Sequence, residues 1–197
     1  MSDPTGVLAD LFAAVEQGDE TAAEKALLLL SHNPRRAYDA LLLHLIDPDA
    51  EIRWWTVYAL STLGDMRCVP HLLNALGDVD EGVRQCAALG LSHLPDPRAV
   101  PALVDVLGSD DRMLARLGTT ALIAIGKDAV PALIDVMQGE NQPARMEAVR
   151  ALAEIKDERA IATFFTAIRD GDTALVEYWS DIGLDKLGVG MSFFDPT

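Results

Sequence analysis

The chain is poor in aromatic residues, poor in cysteine and short of positive charge. Phe, Trp and Tyr make up only 6% of its 197 residues. Its two cysteines, Cys68 and Cys86, exclude a disulfide-rich secreted scaffold, though not a single bond. Lys and Arg number 16 against 31 Asp and Glu, a formal net charge of -15 at pH 7. Phosphate backbones and anionic bilayers both need clustered cations, so the composition argues against nucleic acid and against a membrane surface as direct partners. No apolar stretch reaches about 18 residues, so no membrane-spanning helix is expected. The opening MSDPTGVLADLF has no basic segment ahead of an apolar run, so no secretory leader is expected and the expected compartment is cytoplasmic. What is present is an apolar chain, 50% hydrophobic, long enough for a sizeable core and too apolar for disorder. Its acidic surface permits basic protein partners.

An internal repeat organises the sequence. Pro70, Pro101 and Pro131 each end a Val-Pro pair and lie 31 and 30 residues apart, and a further step of 31 reaches Ala162. Leu63-Gly64-Asp65 falls in register with Leu94-Pro95-Asp96, Ile125-Gly126-Lys127 and Ile155-Lys156-Asp157. Each unit reads as two helices. Val57, Leu60 and Leu63, or Val83, Ala87 and Leu91, give the first its apolar stripe. The second starts near the repeated proline, which suits a first turn because it lacks the N–H that would have no partner there. The period of about 30–31 residues predicts an all-α solenoid spanning 1–197 as one domain. Residues 1–46 are irregular, with helices expected near 5–17, 20–31 and 35–46. Regular repeats fill 47–170, and a capping helix with a tail occupies 171–197.

Two arginines recur with the repeat. Asp49 precedes Arg53 by four residues and Asp80 precedes Arg84 by four, so each pair shares a helical face. Both aspartates follow short breaks and can also cap their helices. The pattern reads as a structural ladder from repeat to repeat, with ligand binding by the arginines as the alternative.

The D-x-x-x-R starts at Asp49–Arg53 and Asp80–Arg84, with the phrase DPRAVPALVDVLGSDD at 96–111, resemble the HEAT-like repeats of the phycobilisome lyases, the E/F-type bilin lyases of cyanobacteria. The resemblance covers about 47–170. It implies a protein-binding adaptor associated with a phycobiliprotein or the phycobilisome, or a bilin lyase subunit that attaches phycocyanobilin or a related bilin to a partner's cysteine. A second HEAT-like subunit is then an expected partner. A relative associated with iron–sulfur cluster assembly adds a third implication, an accessory scaffold. No catalytic residue carries over, because the shared motif (Val69, Pro70, Val100, Pro101, Val130, Pro131) is packing. In the lyase reading Arg53 or Arg84 would hold a propionate and Asp105 or Asp135 the pyrrole nitrogens.

In a two-helix solenoid the second helices commonly line the binding face. They offer a column led by His71, in which Asn74, Asp105, Asp135 and Thr166 share one repeat position. Such a stripe suits a basic partner segment or the pyrrole N–H groups of a tetrapyrrole; its plain alternative is a solvated face. Trp54 and Tyr58 share a face of their helix. Trp55 and Tyr58 align with Cys86 and Leu89 and are expected in the core. Trp54 aligns with Gln85 and Thr119 and is expected at the surface, as packing or as a partner anchor. Cys68 aligns with Ala99, Ala129 and Ala160, a small packing position. The scattered His32, His44, His71 and His93 and the two cysteines match no metal motif, so no metal is expected. At the C-terminus, Trp179, Leu184 and Leu187 are expected to cover the last repeat. Phe193 and Phe194 either fold back onto that cap or form a docking segment.

Overall fold

The computed structural model describes residues 4–189. Twelve α-helices lie within them: α1 (Pro4–Glu16), α2 (Glu20–Ser31), α3 (Pro34–Leu41), α4 (Ala50–Thr62), α5 (Val69–Ala75), α6 (Glu81–His93), α7 (Val100–Asp105), α8 (Arg112–Ile125), α9 (Val130–Gln138), α10 (Gln142–Ile155), α11 (Ile161–Arg169) and α12 (Ala174–Lys186). They form a solenoid of stacked two-helix repeats. The described chain gathers into two compact units, one ending at Leu94 and the other beginning at Pro95. In the first, α1 packs on α2 and α3, and α4 packs on α5 and α6. In the second, the first helices α8, α10 and α12 stack in a row, and the second helices α7 and α9 also meet.

Local chemistry sets the boundaries. The first helices α4, α6, α8 and α10 open on Asp49, Asp80, Asp111 and Asn141, whose side chains accept from Glu51, Val83, Leu114 and Ala144 N–H at 2.8, 3.0, 2.9 and 3.1 Å. Each satisfies an N–H that has no partner inside its helix. Short 3-10 turns at Met66–Cys68, Pro97–Ala99, Gly126–Ala129 and Glu158–Ala160 lead into the second helices. The helix expected over 35–46 stops at Leu41 and tightens into a 3-10 turn at Leu42–His44. Pro48 disfavours helical backbone at Asp47 just beyond, so the chain must turn before it.

The core repeats with the sequence. Leu72, Leu103, Leu133 and Phe164 occupy one position on the four second helices and each is 0% exposed. Burying one such side chain contributes about 1.5–3 kcal/mol. Cys68, Ala99, Ala129 and Ala160, also 0% exposed, form the small-residue row beside them. On α12 the last repeat is covered by Val176, Ser180, Gly183 and Leu184, all buried. Of the expected cover, only Leu184 is buried; Trp179 and Leu187 stay half-buried. Phe193 and Phe194 lie outside the described residues.

The stretch Arg112–Gln138 is long and apolar enough, by composition, to cross a membrane. Here it is broken into α8 and α9 at Gly126, whose φ of 76° ends the first helix. Leu114, Leu122, Val130 and Leu133 within it are core residues.

Candidate functional site

Arg53, Asp78 and the turns around them form the floor of the first candidate site. The Arg53 Nε–H donates to Asp78 Oδ2 at 2.9 Å and an Nη2–H donates to Oδ1 at 2.7 Å. Its Nη1 donates to the Asp47 and Pro48 carbonyls at 2.9 and 3.3 Å. Hydrogen bonding to Arg53 holds the Asp78 carboxyl below its ordinary range, and Asp78 raises Arg53 in turn. Arg84 repeats half of the pattern, donating to the Asp78 and Val79 carbonyls at 2.9 and 3.1 Å. Asp49 and Asp80 act as helix caps rather than as i,i+4 partners of these arginines. A cap must turn its carboxylate toward the first N–H groups.

The second unit carries an equivalent pair that the sequence reading missed. Arg145 stands four residues after its cap Asn141, as Arg53 does after Asp49, and it forms an ion pair with Asp172. The missed signal was the cap-plus-four spacing, obscured because Asn141 replaces the usual aspartate. A second missed motif is D-x-R. Asp65–Arg67, Asp96–Arg98 and Asp157–Arg159 each close a paired carboxylate–guanidinium clamp over a 3-10 turn, with Nη2 or Nε contacts of 2.6, 2.6 and 2.8 Å. The Asp157 carboxyl is lowered to about 2 by the Arg159 side-chain and backbone hydrogen bonds. Arg159 also donates to the Lys127 carbonyl at 2.7 Å, tying its turn to that of the preceding repeat.

A cleft of about 620 Å³ opens above the Arg53–Asp78 pair, lined by Leu42, Leu45, Ile46, Val57, His71, Asn74 and Val79 among others. Its rim is apolar, with Ile46 88% and Val79 92% exposed. His71 is half-buried, and its Nε2 is 2.9 Å from the Tyr38 hydroxyl. The Arg67 guanidinium lies over the same tyrosine ring, 4.2 Å from its centroid. In the second unit a cleft of about 750 Å³ sits beside Arg145 and Asp172, lined by Gln138, Gln142, Thr163, Thr166 and Asp170. The two clefts occupy the same place in their repeats, with Thr163 and Thr166 where His71 and Asn74 stand in the first. One is walled mainly by aliphatic groups and the other by amides and hydroxyls.

Asp105 on α7 and Asp135 on α9 are exposed, and among the described residues neither takes part in a salt bridge. Their helices are neighbours. Asn74 and Thr166 are likewise exposed.

Trp54, Trp55 and Tyr58 form an aromatic cluster on α4. Trp54 stacks on Tyr58 with centroids 5.3 Å apart and meets Trp55 edge-on at 5.1 Å. Trp55 and Tyr58, expected in the core, are half-buried. Trp55 is far bulkier than the buried Cys86 it aligns with, so its ring extends past the repeat interface. Counted from the caps, Trp54 matches Gln85, Arg116 and Met146 rather than Thr119. Thr119 is buried and donates to Glu147 Oε2 at 2.7 Å. Trp54 and Trp55 line a further cleft of about 600 Å³ with Gly18, Glu20, Asp49, Ala50, Glu51 and Asp80.

Cys68 and Cys86 are free, buried thiols, each pushed up to about 12 chiefly by burial. Among the described residues no group of three or more His, Cys, Asp and Glu is placed to hold a metal ion. His93, at the end of α6, is exposed.

A family profile described as HEAT repeats matches residues 38–124 and 112–184. The chain belongs to the HEAT-repeat family. No curated protein matches it significantly. Among solved structures it is similar to the CpcE–CpcF complex of phycocyanin lyase from Nostoc sp. PCC7120, at 23% identity and a TM-score of 0.50, covering 95% of this chain and 87% of the other. A designed armadillo repeat protein in complex with the peptide (KR)4 has 15% identity, a TM-score of 0.55, and coverage of 94% and 100%. An engineered protein has 18% identity, a TM-score of 0.52, and coverage of 96% and 98%. At these identities the likeness concerns the fold.

The ladder and the D-x-R clamps tie together the turns of a HEAT array. The clefts and the exposed carboxylates of the second helices are what that array presents to solvent. Arg53 uses most of its donors within the protein, which leaves it poorly placed to hold a propionate.

Proposed function

We propose that this HEAT-repeat protein is a cytoplasmic protein-binding adaptor that recognises a basic segment of its partner. The observation that carries the reading is the pair Asp105 and Asp135. Two exposed carboxylates recur at one repeat position on neighbouring second helices, with no salt bridge of their own, in a chain of net charge -15. A fixed row of like charges raises the local concentration of a cationic segment and sets its register. The HEAT family membership and the likeness to a peptide-bound armadillo array support this use of the second helices.

A phycobiliprotein is the favoured partner within this reading. Support comes from the resemblance of residues 96–111 to the phycobilisome-lyase repeats and the likeness to CpcE–CpcF. The bilin lyase reading is the second one, with phycocyanobilin as substrate and a second HEAT-like subunit as co-worker. The aliphatic cleft of about 620 Å³ beside His71 is the feature that supports this reading. An iron–sulfur accessory role is the weakest of the three, because thiolates are the usual cluster ligands and both thiols are buried.

The test is a titration of labelled basic peptide, and then of an apo-phycobiliprotein, into the wild type and the Asp105→Asn/Asp135→Asn variant. Loss of affinity in the variant, steeper at low salt, is expected. Equal affinity for both proteins overturns the reading. Mixing with phycocyanobilin decides the lyase branch: a red-shifted, saturable band with colour fixed to the partner supports it, and an unchanged spectrum overturns it.

A further inference from the structure

We infer that the cleft beside Trp54 and Trp55 receives an arginine or lysine side chain of the partner's basic segment, a step that rests on the reading above. This cleft belongs to the first unit, and the column of Asp105 and Asp135 is no part of it. Two indoles line it, together with the carboxylates of Glu20, Asp49, Glu51 and Asp80, and no Lys or Arg is among its lining residues.

The rings are held in place before any ligand arrives. Tyr58 backs Trp54 with an interplanar angle of 21°, while Trp55 stands at 81° to it. The Trp54 indole edge also lies against Gly82 at the start of α6, where a Cβ would sit in ordinary contact, 3.5 Å from Trp54 Cδ1. Helix α4 buries Val57 and Leu60 to 1% and 0% exposure, while the two indoles stay half-buried. The half-buried indoles, braced by one another and by Tyr58, offer a pre-organised aromatic surface to the cleft.

Charge selects the occupant. The first turns of α2 and α4 and the N-cap of α6 contribute to the cleft, and each helix start is worth roughly half a positive charge. The four carboxylates outweigh these dipoles. Asp49 and Asp80 each use one oxygen as a cap. Glu20 and Glu51 are exposed, and among the described residues they form no salt bridge. An anion is therefore disfavoured. A guanidinium or ammonium group gains attraction to the indole π-systems and charge-assisted hydrogen bonds to the carboxylates at once.

The experiment titrates the full chain with a labelled octapeptide of alternating Lys and Arg, following anisotropy and tryptophan emission. It compares the wild type with Trp54→Leu, Glu20→Gln/Glu51→Gln and Asp105→Asn/Asp135→Asn. Both first-unit variants are expected to weaken binding by roughly 3- to 30-fold, and wild-type emission is expected to change on saturation. If Trp54→Leu fails to fold, the glutamate pair decides, because both side chains are exposed. Unchanged affinity in the first-unit variants with loss in Asp105→Asn/Asp135→Asn overturns this inference and leaves the adaptor reading standing. No binding to the wild type overturns both.

Discussion

Arg53 joins two consecutive turns of the array through Asp78. One guanidinium holds the carbonyls of Asp47 and Pro48 ahead of its own helix and the carboxylate of Asp78 ahead of the next. The two side chains are only 11% and 14% exposed, so water replaces little of what a deletion would remove. Arg53→Ala is expected to destabilise the protein by about 2–3 kcal/mol, because it leaves a partly buried carboxylate and two carbonyls without their donor. Arg53→Lys should recover less than half, since one ammonium cannot span the carboxylate and both carbonyls. Urea denaturation checks this, and a cycle with Asp78→Asn should show coupling. A loss below about 0.5 kcal/mol would remove the ladder from the account of stability.

The three D-x-R clamps and the Arg53–Asp78 pair give the fold an acid limb. The Asp65, Asp78, Asp96 and Asp157 carboxyls are all lowered, chiefly by hydrogen bonds from arginine side chains, Asp157 to about 2. An aspartate whose folded value is depressed binds its proton more readily when unfolded. Its contribution is full above the unfolded value of about 4 and is lost as pH falls toward about 2. The melting temperature should hold between pH 7 and 5 and fall steeply between 4 and 2. Asp157→Asn should flatten that fall by lowering the neutral plateau toward the acid values. An identical acid slope in the variant would show that this clamp does not couple to folding.

The repeat and its core were legible in the sequence because both depend on spacing. Pro70, Pro101 and Pro131 mark second helices, and the leucine two residues after each is fully buried. The small packing position of Cys68 is legible because Ala99, Ala129 and Ala160 share its register, and all four are 0% exposed. The ladder partner of Arg53 was not legible. Asp78 lies 25 residues away, and the nearer Asp49 satisfies the same charge rule until the cap claims it. Arg145 was missed because its cap is an asparagine. The exposure of Trp55 could not be read from Cys86, since a shared register fixes direction and not how far a larger ring reaches. The clefts were beyond the sequence, because they are made by the ends of elements that only stacking brings together.

Burial sets the reactivity of the two thiols. Cys68 is 0% and Cys86 4% exposed, and both are raised to about 12. At pH 8 the thiolate fraction of such a group is on the order of one in ten thousand. Disulfide-exchange reagents should label the native protein at least a thousandfold more slowly than the urea-unfolded chain, at a rate that tracks local opening. Rapid labelling of either cysteine in the native state would contradict its place in the core.

The last repeat depends on a matched pair across α11 and α12. Phe164 stands where Leu72, Leu103 and Leu133 stand in the other repeats, and Gly183 makes room for the larger ring. A Cβ at Gly183 would lie 2.5 Å from Phe164 Cζ and 2.6 Å from Cε2, closer than carbon atoms can approach. Both residues are in the described core, and Phe164 is 0% exposed, so the ring cannot swing into solvent. Gly183→Ala gains about 1 kcal/mol of helix propensity but must push the ring aside, at about 1–3 kcal/mol or more. The single variant is therefore expected to be destabilised despite the better helix former. Phe164→Leu alone should lose about 1 kcal/mol through an incompletely filled space. Combined, the two changes restore the leucine packing of the earlier repeats. The double variant should then be more stable than the sum of the singles predicts, by at least 0.5 kcal/mol. Chemical denaturation of the four proteins measures that coupling, and strict additivity would mean that the capping helix does not depend on this contact.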